Sequence, residues 1–577
     1  MDPPGDKLLL IDAIGPFFRD YKKVRINWSK IPWRRIQKLG PKGRRAFFDR
    51  VKIDLRTFCE RVAAIGCNAV SLDDLPHLAD HELYEAEVRE QIAANRRNFR
   101  ELFDVVRDSG LKIFLTMDVM TFTPGLEEKI RGGEAAIQQF AVDLLEKFFA
   151  DFSEVEGVIL RIGESDGHDV KELFRSRLVL KSPAMVNRFL KAILPVFEKH
   201  QRTCVFRTWT VGAHRVGDLI WREATLTRTV QGIESPALVL SMKYGESDFF
   251  RYLSLNRNLF VTDLPTIIEL QARREYEGCG EYPSFIGHDY EKFALEIRGA
   301  PNFAGISLWC QTGGWTPFRR LAFLDESAIW TEINAFVTLR LFHHGELWEE
   351  AVRQLPQFRE YPAAGIELLR LSEEVVKELL YVPEFARQKM FFRRVRVPTL
   401  VGVYWHNIFI AHAIKRMLGH FVEDGEASIR TGYAAMEKIR HMHSLAEKCG
   451  LPTEDIEFME ATFSILALAR EYFFRPFDEE IQTRLMAAKK AYKKKYPRGT
   501  RYRYAIKINL SPFRMKARHV AWFTKYLLRD QPGYRFIDRI IGLRLLSFSY
   551  RVLKRARPKM IPGFARKSAM GIDAIFK

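Results

Sequence analysis

Four short runs of this 577-residue chain carry carboxylates and cations at spacings that could do chemistry. GVILRIG leads into GESDGHD, so an apolar stem ends at Arg161 and Glu164 follows in the next loop, with Asp166 two residues on. TCVFRTW repeats the device with Arg207 and Trp209, and LSMKYGESDFF places Lys243 at a stem's end with Asp248 just beyond it. TIIELQARRE sets Glu269, Gln271, Arg273 and Glu275 at alternate positions, hence on one face of an extended strand. A carboxyl group that donates a proton, facing a carboxylate that activates water or attacks carbon, is what glycosidic cleavage requires. Their separation would set the outcome, about 6.5–9.5 Å for inversion and about 5–5.5 Å for retention. Arg161, Arg207 and Lys243 suit another task. Gathered at one height they would bind an anionic group, the arginines in bidentate fashion. They would equally neutralise Asp118, Asp248 and Glu164, since buried charges must be paired, and the sequence admits both uses together.

Such residues must be positioned by strands. From about residue 55 to residue 310, short β-branched runs alternate with amphipathic segments, the pattern of a parallel sheet with crossover helices. The strand candidates are Asn68–Asp73, Lys112–Asp118, Gly157–Gly163, Thr203–Trp209, Leu238–Lys243, Thr266–Glu275, Pro283–Gly287 and Ala304–Trp309. Eight of them point to an α/β fold of the closed (β/α)8 TIM-barrel kind. Asp73, Asp74, Asp118, Arg161, Arg207, Lys243 and Glu275 lie at strand ends, which converge on one face of such a barrel. We therefore assign residues 1–345 to a catalytic barrel and 346–480 to an all-helical domain, with helices expected at Val403–Leu418 and Ala427–Lys448 and no strands. Residues 481–577 form a basic, partly helical tail.

At the strand ends the chain resembles a known family. GVILRIGES, VFRTW, LSMKYGESDFF and IELQARREYEG match, in order and spacing, those of the glycoside hydrolase family 67 alpha-glucuronidases. The resemblance extends through VRINWSKIPW, ERVAAIGCNAVSLDDL, GLKIFLTMD and EINAFVTLRLF, covering about residues 20–345. It implies inverting removal of an alpha-linked glucuronic acid from an acidic oligo- or polysaccharide. By position, Glu164 resembles the general acid, Asp248 and Glu275 the pair that activates water, and Arg161, Arg207 and Lys243 the uronate-binding cations. The family's acid stands one residue further from its strand cation, which makes Asp166 a competitor of Glu164. The family's N-terminal α/β domain has no counterpart ahead of the barrel pattern, nor does the last hundred residues' sequence match it. Glycan transfer, eliminative cleavage and non-catalytic glycan binding are the alternative functions.

Trp28, Trp209, Tyr244, Trp309 and Trp315 near the rim could stack on sugars or simply pack; Trp309 and Trp315 flank the CQTGG turn and are favoured as substrate contacts. The six cysteines show no metal-finger spacing and suggest a reduced compartment. His288 and ESDGHD lack a ligand motif, so no metal or cofactor is expected. No phosphate-binding glycine loop or nucleophile elbow occurs. The N-terminus lacks a secretory pattern and no run is long enough to span a bilayer, so the expected location is cytoplasmic, peripheral to a membrane if the tail binds one. The net charge of +19 is unevenly placed: residues 481–577 hold 26 Lys and Arg against three acids, leaving −4 for the rest. Apolar Phe536, Ile540, Leu545, Phe548 and Val552 are interspersed with these cations, so an anionic membrane surface is expected as partner and nucleic acid is not, while homodimerisation stays open.

Overall fold

The computed structural model describes residues 7–19, 21, 31–130, 133–163, 173–210, 212, 214–311, 320–391, 396–398, 403–404, 407–511, 528–529 and 544–557. Eight parallel strands close a barrel: β1 Leu8–Asp12, β2 Ala69–Leu72, β3 Lys112–Asp118, β4 Val155–Gly163, β5 Thr203–Thr210, β6 Leu238–Lys243, β7 Thr266–Gln271 and β8 Phe303–Trp309. They follow one another round the barrel in chain order, with β8 pairing β1. The expected strand at Pro283–Gly287 does not form. Its Phe285 and Ile286 are core side chains, but they sit in irregular backbone that leads into the helix Gly287–Ile297. The missing member is LLLID at the N-terminus, which has the same apolar stem and acidic end as the others.

Helices cover the outside. Pro183–Lys199 shows why: Ser182 Oγ accepts the Met185 N–H, Pro183 starts the first turn, and Val186, Phe189, Leu190, Ile193 and Phe197 recur at helical spacing and are buried. The crossover from β6 to β7 has no α-helix, only the 3-10 turn Arg257–Phe260. This leaves a long connection, Tyr244 to Pro265, that supplies Asp248 to the mouth.

Inside the barrel, Leu10, Ala69, Phe114, Ile159, Val205 and Ile267 form a separate apolar plug. Side chains alternate along a strand, so the layer two residues above it comprises Asp12, Ser71, Thr116, Arg161, Arg207 and Glu269. The barrel interior thus changes from apolar to charged within one step, and the charged layer faces the C-terminal rim.

Beyond the barrel, helices Pro362–Val375 and Glu454–Phe474 bond its loops, and Gly425–Lys448 packs against both helices. Tyr282 donates to Thr462 Oγ1 at 2.8 Å, and buried Asp455 takes Arg320 and the Trp330 indole N–H. The helix expected at Val403–Leu418 divides, because NIFIA alternates: Ile408 and Ile410 are buried while their neighbours are half-exposed, so Asn407–Ala411 is a strand and the helix is His412–Phe421. Short strands therefore do occur in this region, among them Lys389–Phe391, which pairs with Arg396–Pro398. The basic region begins as part of the body. Helix Glu479–Lys495 is followed by Ala505–Asn509, which pairs in parallel with Asn407–Ala411, while Tyr502 donates to Asp455 and Tyr504 to the Gly278 carbonyl. Among the described residues no helix is long and apolar enough to cross a membrane.

Barrel closure depends on Gly305. Its φ is +139°, and a Cβ there would lie 2.0 Å from the Leu8 carbonyl oxygen on β1. Gly305→Ala should cost about 2–3 kcal/mol or more in urea denaturation; an unchanged midpoint would mean that β1 is not held against β8.

Candidate active site

The charged layer has a defined register. Asp118 on β3 is the Cα partner of Arg161 on β4, Arg161 that of Arg207 on β5, and Arg207 that of Ser241 on β6, with Lys243 one pleat higher opposite Glu269 on β7. Arg161, Arg207 and Lys243 therefore do point into the mouth from three consecutive strands. All three are buried, and each meets a carboxylate. Arg161 Nε lies 2.7 Å from Asp118. Arg207 donates through Nε and Nη2 to both oxygens of Glu269, each at 2.8 Å. Lys243 Nζ donates to Asp248 at 2.5 Å and stands over the Trp209 ring at 3.6 Å and the Phe249 ring at 4.4 Å.

Each pair is braced by neighbours. Ser176, on a two-stranded ribbon with Thr121–Phe122, donates to Asp118. Glu269 also accepts Ser241 Oγ at 2.8 Å and the Trp309 indole N–H at 3.2 Å, and Arg207 lies over the Trp309 ring. Burial works to raise the Glu269 carboxyl, but the charges of Arg207 and Lys243 outweigh it and hold the group below its ordinary range. Trp209 and Trp309 thus have cations on their faces. Tyr244 is not a rim residue at all: its hydroxyl bonds the Phe250 carbonyl and its ring packs on Tyr290 and Phe293 in the core.

Asp248 is the more exposed member of its pair, its side chain 13% accessible against 4% for Lys243. It accepts the Phe249 N–H at 2.9 Å and the Tyr276 hydroxyl at 2.7 Å, so three donors fix its orientation. Tyr276 comes from the loop after β7 and stacks on Phe250, tying that loop to the one that carries Asp248. Its chain neighbour is Glu275. β7 ends at Gln271, so Arg273 and Glu275 do not continue the strand's alternation. Arg273 turns back onto the Cys279 carbonyl. Glu275 is instead anchored to the strand's last residue, its Oε2 accepting Gln271 Nε2 at 3.1 Å and its N–H reaching Gln271 Oε1 at 3.0 Å. Asp248 and Glu275 therefore stand on adjacent, cross-linked loops. Glu164, Asp166, Trp28 and Trp315 lie outside the described residues.

Two further features come from residues the sequence pattern did not single out. Asp12, at the end of β1, accepts the N–H groups of Cys310 and Gln311, the latter at 2.9 Å, and so fastens β8's exit. Burial pushes its carboxyl up to about 7, against the opposing pull of those N–H groups and of Arg273. His77 Nδ1 lies 2.5 Å from buried Asp74, and the imidazole stacks on Trp33 at 3.9 Å. The apolar stem LLLID ending in an acid was the available signal for Asp12; for His77, nothing local distinguishes it. Beside the mouth, a cleft of about 470 Å³ is lined by Phe122, Pro124, Glu127, Ile130, Arg177 and Val179. His288, Asp289 and Glu373 bring ligand atoms within 4.8 Å of one another, yet Asp289 and Glu373 are shared by Arg251 and Lys377, which makes this an ion-pair cluster joining barrel to helices.

No family model matches the chain, and no curated protein does. Solved structures similar to it include a GH138 enzyme targeting pectin rhamnogalacturonan II, 11% identical over 85% of this chain and 73% of its own, with a TM-score of 0.49. An O-GlcNAc hydrolase variant of Thermobaculum terrenum is 12% identical, covering 76% of this chain and 85% of its own, TM-score 0.37. A D-allulose 3-epimerase from Methylomonas sp. is 10% identical, covering 59% and 98%, TM-score 0.32. Hydrolases and epimerases thus stand side by side, and likeness at this level says nothing about the reaction.

The raised carboxyl of Asp12 gives a signed expectation. A group whose pKa is about 7 folded and about 3.9 unfolded binds its proton more tightly in the folded state, so its contribution to stability is lost as pH rises from about 4 through about 7. Asp12→Asn has no such dependence. Its stability deficit relative to the parent, measured by urea denaturation, should shrink by about 2.6 kcal/mol between pH 5 and pH 8. A deficit that grows with pH would show that the two backbone N–H groups keep Asp12 ionised.

Proposed function

We propose that the chain is a glycoside hydrolase that removes an alpha-linked uronic acid, of the glucuronic kind, from an oligo- or polysaccharide with inversion. The observation that carries this reading is the placement of Asp248 and Glu275 on adjacent loops at the mouth, cross-linked by Tyr276 and set beside a layer of inward cations. Two carboxylates on one side of a cavity serve to orient and deprotonate a water molecule, and the general acid then stands across the sugar, a role that falls to Glu164. Asp248 is the group fixed for water activation, because Lys243, Tyr276 and the Phe249 N–H leave its carboxylate one orientation.

Recognition of the acidic sugar fits a mixed-charge site. Arg207 is committed to Glu269 through two N–H groups. Among the described residues, Lys243 spends one N–H on Asp248, and its ammonium carries three. Lys243 is therefore the natural anchor for the sugar carboxylate, with Arg161 and Arg207 supplying the positive field around it. The 470 Å³ cleft beside the mouth is open to the remainder of the glycan. The resemblance to family 67 alpha-glucuronidases supports the same assignment of roles.

The test is incubation with glucuronic-acid-bearing oligosaccharides, following the first released anomer by NMR. The β-anomer should appear first. Asp248→Asn and Glu275→Gln should each lower kcat about a thousandfold, and Glu164→Gln should abolish release while Asp166→Asn leaves it. Early α-anomer would mean retention, an unsaturated product would mean eliminative cleavage, and no release from any acidic glycan would remove the hydrolase reading.

A further inference from the structure

We infer that the C-terminal region docks on an anionic lipid bilayer surface through one exposed strip of the helix Arg544–Ala556. Three observations lead there. The first is charge: residues 481–577 carry 26 Lys and Arg and three acids, so the region cannot neutralise itself, and the remaining chain, at −4, supplies few carboxylates in excess. Some of its cations do pair with the body, Arg484 with Glu471 and Lys495 with Glu457. Lys490, Lys493 and Lys494 are exposed and have no ion pair among the described residues.

The second is the pattern of that last helix. Phe548 is 61% and Val552 47% exposed, while Tyr550 and Leu553 are half-buried. At about 100° per residue, Phe548, Arg551, Val552 and Arg555 fall within about 100° of arc, so two apolar residues and two arginines, all exposed, share one face. Tyr550 and Leu553 fall on the other side. An interfacial helix lays its apolar side chains below the phosphates and its cations among them, which is the use that this interleaving fits. Phosphates of a nucleic acid backbone would satisfy the arginines but leave Val552 in water.

The third is repetition. Helix Glu479–Lys495 exposes Met486 at 48%, and Lys490 and Lys493 follow at i+4 and i+7 on the same face. The combination of an exposed apolar side chain with adjacent cations thus occurs on two helices of the basic region.

This inference does not rest on the glycosidase reading, and its test uses no sugar. The full chain is sedimented with vesicles of phosphatidylcholine alone and with vesicles in which about a third is phosphatidylglycerol. Point variants are used because helix Glu479–Lys495 and strand Ala505–Asn509 are built into the body, so that truncation near residue 480 would damage it. We expect binding to the anionic vesicles only. Phe548→Ser with Val552→Ser, and separately Arg551→Gln with Arg555→Gln, should each weaken it at least tenfold while Tm stays unchanged. Equal binding to both vesicle types, or no binding to either, would overturn the proposal. So would an undiminished Phe548→Ser/Val552→Ser variant, or displacement of the chain from vesicles by RNA with the apolar pair playing no part.

Discussion

Charge cannot be buried alone, and the barrel mouth is organised by that constraint. Removing an ion from water costs several kcal/mol unless a partner of opposite sign and good geometry replaces the solvent. Directly above an apolar plug, three consecutive strands send cations inward, and each ends on a carboxylate: Arg161 on Asp118, Arg207 on Glu269, Lys243 on Asp248. The pairs differ in kind. Arg207 and Glu269 are locked two-to-two and buried, whereas Lys243 and Asp248 sit higher, with the carboxylate partly open. The lower pairs are closed off from solvent, and the upper pair keeps one carboxylate partly accessible.

The same rule extends outward from the mouth. Arg251 on a barrel loop meets Glu373 on helix Pro362–Val375, and Asp455 on helix Glu454–Phe474 receives Arg320 and the Tyr502 hydroxyl, so the junctions between barrel, helices and the start of the basic region are also made of buried charged groups with specific partners. Breaking one of these leaves a charge without solvent. The body is therefore held together by specific partners as well as by apolar area, and the basic region is continuous with it as far as the strand Ala505–Asn509.

Period-two alternation made the inward direction of Arg161, Arg207 and Lys243 legible in the sequence, because it needs only the strand and its phase. What those cations touch was less legible. That Arg207 meets Glu269 depends on how β6 sets β5 against β7: Arg207 is the Cα partner of Ser241, while Glu269 is that of Lys243, one pleat higher. The fold followed similar lines. PSFIG and LLLID are both short apolar runs, and length alone could not tell the irregular core segment from the first strand. The alternation through Arg273 and Glu275 failed because β7 stops at Gln271, where the backbone turns and Glu275 folds back onto that residue. Asp12 lies on a strand about 45 residues ahead of the alternating pattern, which begins only at about residue 55.

The proposed recognition of an anionic sugar at the mouth makes a demand on substrate preference that depends on no single residue. Two alpha-linked disaccharides differing only in glucuronic acid against glucose at the cleaved end isolate the contribution of the sugar carboxylate. The measurement is kcat/KM for each at low ionic strength. The account predicts a preference of at least about a hundredfold for the uronoside, the scale of one well-placed charged contact. Equal values, or a preference for the neutral sugar, would contradict it.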